Sequence, residues 1–430
     1  MNEYDTELVR SILTKEGYTF VNDELTADIV MLNTCAIREH AHRKVYGRIH
    51  EIHHKRNGNP VKIGILGCMA TNLRKELFED HKLKIDFIAG PDSYKKLPEL
   101  IRQTSDELGV KAYDLTLSEF ETYSNVYPQR AKGVNAWIAV MRGCNNFCAF
   151  CVVPYTRGRE RSREPENVVE EARRLSAEGF KQVTLLGQNV NSYKYENADF
   201  ADLIEAVSRV DGINRIRFTS PHPKDFPDKL LDVIASNPKV CKQIHLPLQA
   251  GNNRVLGLMD RSYTREEFLA LVDKIRKKIP GVYLSTDIIV GFCSETEGEF
   301  TETFDVMKQV EFDSAFIFKY SQRKNTIAER KYKDDVSNEN KTSRITRLNE
   351  LQKAVSLKKN EAEIGRSIEI LIEEERTTKS PDHMLGRADS NKLVIIPSGH
   401  HHRGEFLSAK ITGASPHALK GIILNGQPDA

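Results

Sequence analysis

The chain has 430 residues, of which 39% are apolar and 8% aromatic, and its formal net charge is +2. At roughly 150 residues per domain this length asks for two or three domains, and the composition is that of a folded chain rather than a disordered one. The near balance of charge excludes a molecule that attracts polyanions over its whole surface, so any nucleic-acid binding has to come from local patches.

In chain order, the opening "MNEYDTELVRSILTKEG" mixes acids and bases without an apolar core, unlike a secretory signal or a transit peptide. No run reaches the roughly 20 apolar residues of a membrane span, so a cytoplasmic protein with no membrane partner is expected. There the seven cysteines, Cys35, Cys68, Cys144, Cys148, Cys151, Cys241 and Cys293, are expected as metal ligands or core residues rather than as disulfides.

The fold class expected is α/β in three parts. Over 1–122, "ADIVMLNTC", "VKIGILGC" and "IDFIAG" are apolar runs that each end at a loop, as in a small α/β sheet domain. "LSEFETYSNVYPQRAKG" is polar and reads as a linker. Over 130–361, "AWIAVM", "KQVTLLG", "INRIRFTS", "KQIHLPLQ", "VYLSTDIIVGF" and "DSAFIFKY" read as buried parallel strands. Amphipathic segments such as "PENVVEEARRLSAEG", "DFADLIEAVSRV", "REEFLALVDKIRKK" and "TEGEFTETFDVMKQV" separate them, which makes a (β/α) barrel, or part of one, the natural architecture. A charged helix is expected from about Asn338 to Glu361. Over 364–427, "SIEILIEE", "KLVIIPSG", "GEFLSAKITGAS" and "LKGIIL" are short strands divided by Gly, Pro and Ser, the pattern of a small β-barrel.

The chemistry concentrates in "MRGCNNFCAFCVVPYTRGRERSR", residues 141–163. Cys144, Cys148 and Cys151 form C-x3-C-x2-C after the first barrel strand, the end of a barrel where active sites form. Structural zinc takes four ligands, commonly from paired C-x2-C knuckles, and no fourth cysteine lies nearby. Three thiolates on an iron–sulfur cubane instead leave one iron open to a substrate or cofactor. Downstream, Arg157, Arg159, Arg161 and Arg163 occupy every second position. In an extended chain they would share one face, where guanidinium forks suit RNA phosphates; an ordinary charged loop paired with Glu160 and Glu164 is the alternative. Cys35 and Cys68 each end a strand of the N-terminal sheet, so their thiols could converge on one site or simply lie in the core.

The three-cysteine motif, with aromatic Phe150 before its last member, resembles the radical S-adenosylmethionine superfamily. "GCNNFCAFCVVPYTRGRERSR", "LLGQNVNSY", "HLPLQAG", "MDRSYT" and "TDIIVGF" look like the methylthiotransferase family within it, in its tRNA-modifying branch, and the likeness spans nearly the whole chain. The resemblance implies a radical SAM barrel on Cys144, Cys148 and Cys151, with Phe150, Gln188 and Asn189 as contacts to S-adenosyl-L-methionine. It also implies a second, auxiliary [4Fe-4S] cluster in the N-terminal domain, where Cys35 and Cys68 match the family's second and third ligands. The family's first ligand lies in a turn inside which this chain begins, so two thiolates are expected to remain there. The implied activity is 2-methylthiolation of N(6)-isopentenyladenosine beside the anticodon of tRNA, using two molecules of S-adenosylmethionine, one as methyl donor and one as radical source. The unactivated C–H bond at carbon 2 of the base calls for a radical, and an electron donor such as flavodoxin or ferredoxin is implied. A monomer is expected.

Two rivals stay open: methylthiolation of a ribosomal protein aspartate, and an iron–sulfur RNA-binding protein impaired by the missing ligand. The tail resembles a TRAM domain, in which Arg387, Lys392, Arg403 and the histidines of "GHHHRG" would touch phosphate. Three consecutive histidines cannot face one metal ion from a strand, and a hairpin loop is expected for them. Departures from the family pattern at "QAGN", "GFCSET" and "SQRKNT" are expected to weaken turns rather than remove ligands. Cys241 and Cys293 are expected as core or loop residues. Asp287, inside a strand, needs a partner if it is buried.

Overall fold

The structure, a computed structural model, describes every residue except 36–38, 81–82, 107–109, 377–380 and 425–430. The last of these gaps takes in the end of the expected C-terminal segment, 425–427. The chain divides into two compact units, one of Met1–Ala131, Ala139–Glu164 and Ser321–Lys333, the other of Lys132–Ile138, Pro165–Tyr320 and Asp334–Ala430.

In the first unit the three N-terminal apolar runs become strands Ile29–Thr34, Lys62–Gly67 and Phe87–Ala89, and Ala112–Asp114 adds a fourth at the far edge. All three pairings are parallel. The fourth strand carries no apolar run because it is three residues long and exposes Tyr113. Ile49 and Ile52 of the helix Glu39–Arg56 pack with Ile63, Ile65 and Ile88 of the strands into one core. The helix Asn2–Lys15 buries Tyr4, Leu8, Ile12 and also Asp5. Apolar residues at i, i+4 and i+8 make a buried face; the carboxylate among them has to be paired.

In the second unit all six expected barrel strands form: Asn135–Ala139, Gln182–Leu186, Arg215–Phe218, Gln243–His245, Tyr283–Val290 and Ser314–Lys319. They make two three-stranded sheets, linked by the parallel bridge from Ile216 to Val240. Six strands in sequence order, without closure, form part of a barrel rather than the full eight-stranded ring. The four expected crossover helices are present, together with Asp228–Ser236, whose nine residues give too short a period to read from sequence. The charged helix spans Asn338–Glu361.

The C-terminal segment closes into a five-stranded barrel in the order Ser367–Glu374, His383–Ala388, Leu393–Pro397, Leu419–Ile423, Phe406–Ala414. Its inward residues, among them Ile370, Met384, Val394, Ile396, Ala409 and Ile411, alternate along the strands and form its core. "GHHHRG" is no hairpin loop: the strands on either side of it, Leu393–Pro397 and Phe406–Ala414, are not neighbours. The loop therefore crosses from one to the other, with His401 and His402 beside Glu405 and Glu375. Arg217 fastens this barrel to the strands above, donating to Ala388 O at 2.7 Å and Asp389 O at 2.9 Å, and Arg215 donates to Arg387 O at 2.6 Å. Among the described residues no helix is long and apolar enough to cross a membrane.

Candidate metal centre

In the first unit Cys144, Cys148 and Cys151 lie on one loop, the first two buried and the third half-buried, and none of the three is in a disulfide. The loop is braced at both ends. Cys144 N donates to Gly158 O at 3.1 Å and Cys151 N to Cys148 O at 2.9 Å. Gly143 makes the first of these possible: it has φ +78°, and a Cβ there would lie 1.9 Å from Arg159 O. Only glycine tolerates both conditions. Asn145 and Glu160 exchange hydrogen bonds across the base of the loop, and Ala328 N holds Ala149 O at 2.7 Å from behind. Glu160, read from sequence as a partner for the arginines, is thus occupied with Asn145.

Backbone N–H groups reach the sulfurs, that of Asn146 at Cys144 and that of Val153 at Cys151, the latter at 3.5 Å. Burial pushes the Cys144 thiol up to about 12. Among the described residues no three Cys, His, Asp or Glu side chains converge on a single-ion site. A tetrahedral zinc centre needs such convergence. A cubane does not, because each thiolate binds a different iron, and three thiols on one loop, two of them with backbone N–H donors at the sulfur, fit it.

The arginine row is not one exposed edge. Residues Val153–Arg157 form a short helix and only Arg161–Ser162 is extended, so the every-second-residue spacing does not produce a common face. Arg157, Arg161 and Arg163 are buried, and only Arg159 is exposed. Arg161 donates to Asp92 at 3.0 Å and to the carbonyls of Ser118 and Arg157. Arg163 donates to Ala139 O at 2.8 Å and to the Tyr4 hydroxyl at 3.2 Å. Guanidiniums spent on internal acceptors cannot also grip phosphate. Arg159 instead lies over the Phe147 ring, 4.5 Å from its centroid, and Phe147 meets Tyr155 edge-on at 6.0 Å. These two aromatics were not singled out from sequence, although "NNFC" and "VPYT" display them.

Cys35 and Cys68 follow strands in register: Thr34 lies opposite Gly67, so the next residue of each leaves the sheet beside the other. Cys68 is buried, packs on Val152 of the three-cysteine loop, and accepts from Arg157 Nε at 3.1 Å. Arg157 Nη2 also donates to Asp5 at 2.7 Å, and Arg142 Nη2 meets the other oxygen of Asp5 at 2.7 Å. Burial alone would raise the Asp5 carboxyl, yet the Arg157 and Arg142 guanidiniums hold it down at about 2. Arg157 Nη1 is buried and has no hydrogen-bond partner among the described residues.

In the second unit Gln188 and Asn189 follow the Gln182–Leu186 strand. Gln188 Oε1 is buried without a partner among the described residues, while Asn189 Nδ2 is committed to Asp225 at 3.0 Å. Asp287 finds its partner in His245, 3.3 Å away, and His245 Nδ1 is 3.0 Å from Ser285 Oγ. Phe316, opposite Asp287 in the ladder, is exposed and edge-on to the His245 ring. His245 and Phe316 carry no motif, and only strand register unites them with Asp287. In the C-terminal barrel Arg387 is paired to Glu373 at 2.7 Å and Lys392 to Glu363 at 3.0 Å, whereas Arg403 is exposed and touches Lys132 O at 3.3 Å. Cys241 and Cys293 are buried core residues.

Three family models match the chain: the radical SAM superfamily over 138–307, an uncharacterized protein family, UPF0004, over 1–90, and the TRAM domain over 361–424. The chain is 45% identical over 427 residues to the tRNA-2-methylthio-N(6)-dimethylallyladenosine synthase of Chloroherpeton thalassium, covering 99% of this chain and 94% of that one. It is 44% identical to the enzyme of the same name from Porphyromonas gingivalis, with coverages of 99% and 93%. Among solved structures it resembles the radical S-adenosylmethionine methyltransferase TsrM of Kitasatospora setae, solved with cobalamin and a [4Fe-4S] cluster bound. The TM-score is 0.58 and the identity 17%, over 76% of this chain and 74% of that one, which is a likeness of fold. Identity at this level over the full length, together with the match to the radical SAM model that takes in the three-cysteine loop, means that the chain belongs to the methylthiotransferase family of radical S-adenosylmethionine enzymes.

Proposed function

We infer that this protein is a tRNA methylthiotransferase, which installs a methylthio group at carbon 2 of N(6)-isopentenyladenosine beside the anticodon. The observation that carries this is the 45% identity across 99% of the chain to a synthase named for that product. The relatives named above favour tRNA over a ribosomal protein aspartate. The cofactors are [4Fe-4S] clusters and S-adenosyl-L-methionine. Cys144, Cys148 and Cys151 would hold the radical-generating cluster, which would supply one-electron reduction of bound S-adenosylmethionine.

In this reading Cys144, Cys148 and Cys151 hold the radical-generating cluster, and hydrogen bonds to Gly158, Glu160 and Ala328 fix the shape of their loop. Cys35 and Cys68 serve the auxiliary cluster, supported by their adjacent strand ends. Gln188, whose buried Oε1 has no partner among the described residues, and Phe150 are the proposed contacts to S-adenosylmethionine; Asn189 acts by fixing the loop through Asp225. Arg159 and Arg403, both exposed, are the proposed RNA contacts. Arg387 has a weaker claim, since Glu373 already neutralises it. A division at 1–122, 130–361 and 364–427, a cytoplasmic monomer, and flavodoxin or ferredoxin as reductant complete the proposal.

The test is anaerobic reconstitution of the wild-type chain and of a Cys144→Ala/Cys148→Ala/Cys151→Ala variant, with dithionite, S-adenosylmethionine and isopentenylated tRNA. Wild type is expected to release 5′-deoxyadenosine and yield methylthiolated nucleoside by mass spectrometry; the variant is expected to do neither. Cofactor cleavage with no modified nucleoside would favour the impaired reading. Methylthiolation of ribosomal protein and not of tRNA would overturn the substrate.

A further inference from the structure

We propose that Arg157 is a positioning residue for the Cys68 sulfur, and that by donating to that sulfur it raises the reduction potential of the iron–sulfur group Cys68 helps to hold. The inference rests on the reading of Cys35 and Cys68 as cluster ligands.

Two observations converge on it. The first is charge. Asp5 faces two buried guanidiniums, Arg142 and Arg157, each at 2.7 Å, and Asp92 beside them pairs with a third, Arg161, so two carboxylates face three guanidiniums and the cluster carries one positive charge more than it neutralises. A buried charge calls for a compensating partner, and the Cys68 sulfur is the further acceptor in contact with Arg157. The second is aim. Nε of Arg157 is 3.1 Å from Cys68 Sγ, and the side chain cannot drift because its Nη2 is held by Asp5.

Hydrogen bonds to cluster sulfurs and net local charge are two of the levers that set such potentials. Both act here in one direction, since each favours the more negative, reduced form. Arg157 also follows the three-cysteine loop by only six residues and is separated from Cys68 by 89. The same residue that terminates one cysteine loop therefore conditions the sulfur at the other site.

The experiment uses the full chain carrying Cys144→Ala/Cys148→Ala/Cys151→Ala, so that only the Cys35/Cys68 site can bind iron. After reconstitution, iron and sulfide are counted and the potential is measured by titration followed by electron paramagnetic resonance. About four irons per chain are expected. Adding Arg157→Gln is expected to shift the midpoint to more negative values, and Arg157→Lys, which keeps the charge but loses the fixed fork, to shift it less. Asp5→Asn, which removes the opposing carboxylate, is expected to shift it the other way, and it reports even if Arg157→Gln fails to fold. Iron retained with an unmoved potential in Arg157→Lys and Asp5→Asn would overturn the role of Arg157 alone. No iron in the triple-alanine chain would overturn the reading of Cys35 and Cys68, and the proposal with it.

Discussion

Arg159 and Arg163 stand four residues apart and have opposite jobs. Arg163 is 3% exposed and hydrogen-bonded to Tyr4 and Ala139; Arg159 is exposed and stacked on Phe147. Arg159→Ala is therefore expected to weaken tRNA binding and lower the salt slope of log K by about one, with stability changed by no more than about 0.5 kcal/mol. Arg163→Ala should cost about 1.5–3 kcal/mol in stability. Filter binding over a salt series and urea unfolding separate the two, and an unchanged salt slope in Arg159→Ala would remove it from the interface. His222 supplies a pH dependence. Its Nδ1 accepts from Lys224 N, and burial, with Arg261 and Lys224 adding to it, pushes its pKa down to about 2. The unfolded chain takes up a proton near pH 6.5 and the folded chain does not, so stability falls as pH drops below 6.5 and the loss continues toward 2. At pH 5 the loss is about 2 kcal/mol. Urea midpoints at pH 5 and 7 should differ by less in His222→Gln than in wild type, and equal differences would refute the assignment.

Elements start where their caps are written. Thr264 and Glu267 form a capping box on the helix Arg265–Lys278, and Thr296 and Glu299 form one on Glu297–Val310. Glu299 is held at about 2 by hydrogen bonding from Arg254, so its box is charged at neutral pH. Thr264→Ala is expected to cost about 1 kcal/mol and Thr264→Ser to restore most of it, read as the shift in urea midpoint; equal losses in both would mean that the hydroxyl is not the cap. In two loops that depart from the family pattern, asparagines set the local geometry. Asn325 takes φ +68° in "SQRKNT", a conformation asparagine tolerates, and Asn252 of "QAGN" caps the helix Asn253–Leu258. Strands and helices were legible because their apolar periods are long and repeated. Ala112–Asp114 and Asp228–Ser236 escaped notice because three or nine residues offer too little period to count.

At the scale of the whole chain, the C-terminal barrel is tied to the (β/α) strands by buried arginines. Arg217 is 6% exposed and donates to two of its backbone carbonyls, and Asp389 returns a contact to Lys242 N at 3.0 Å. Arg217→Ala should free these carbonyls, and hydrogen exchange in residues 383–397 should rise well above that of the Tyr283–Val290 strand. Unchanged exchange would show that Arg215 and packing suffice. The sequence alone determined the three-part α/β order and the three-cysteine loop, because apolar periodicity and ligand spacing are local properties of a chain. Only the tertiary structure decided what the arginines do. Whether a guanidinium faces solvent, a carboxylate or a sulfur depends on residues as distant as Asp5 and Cys68 are from Arg157, and alternation at every second position carries no information about partners 152 and 89 residues away.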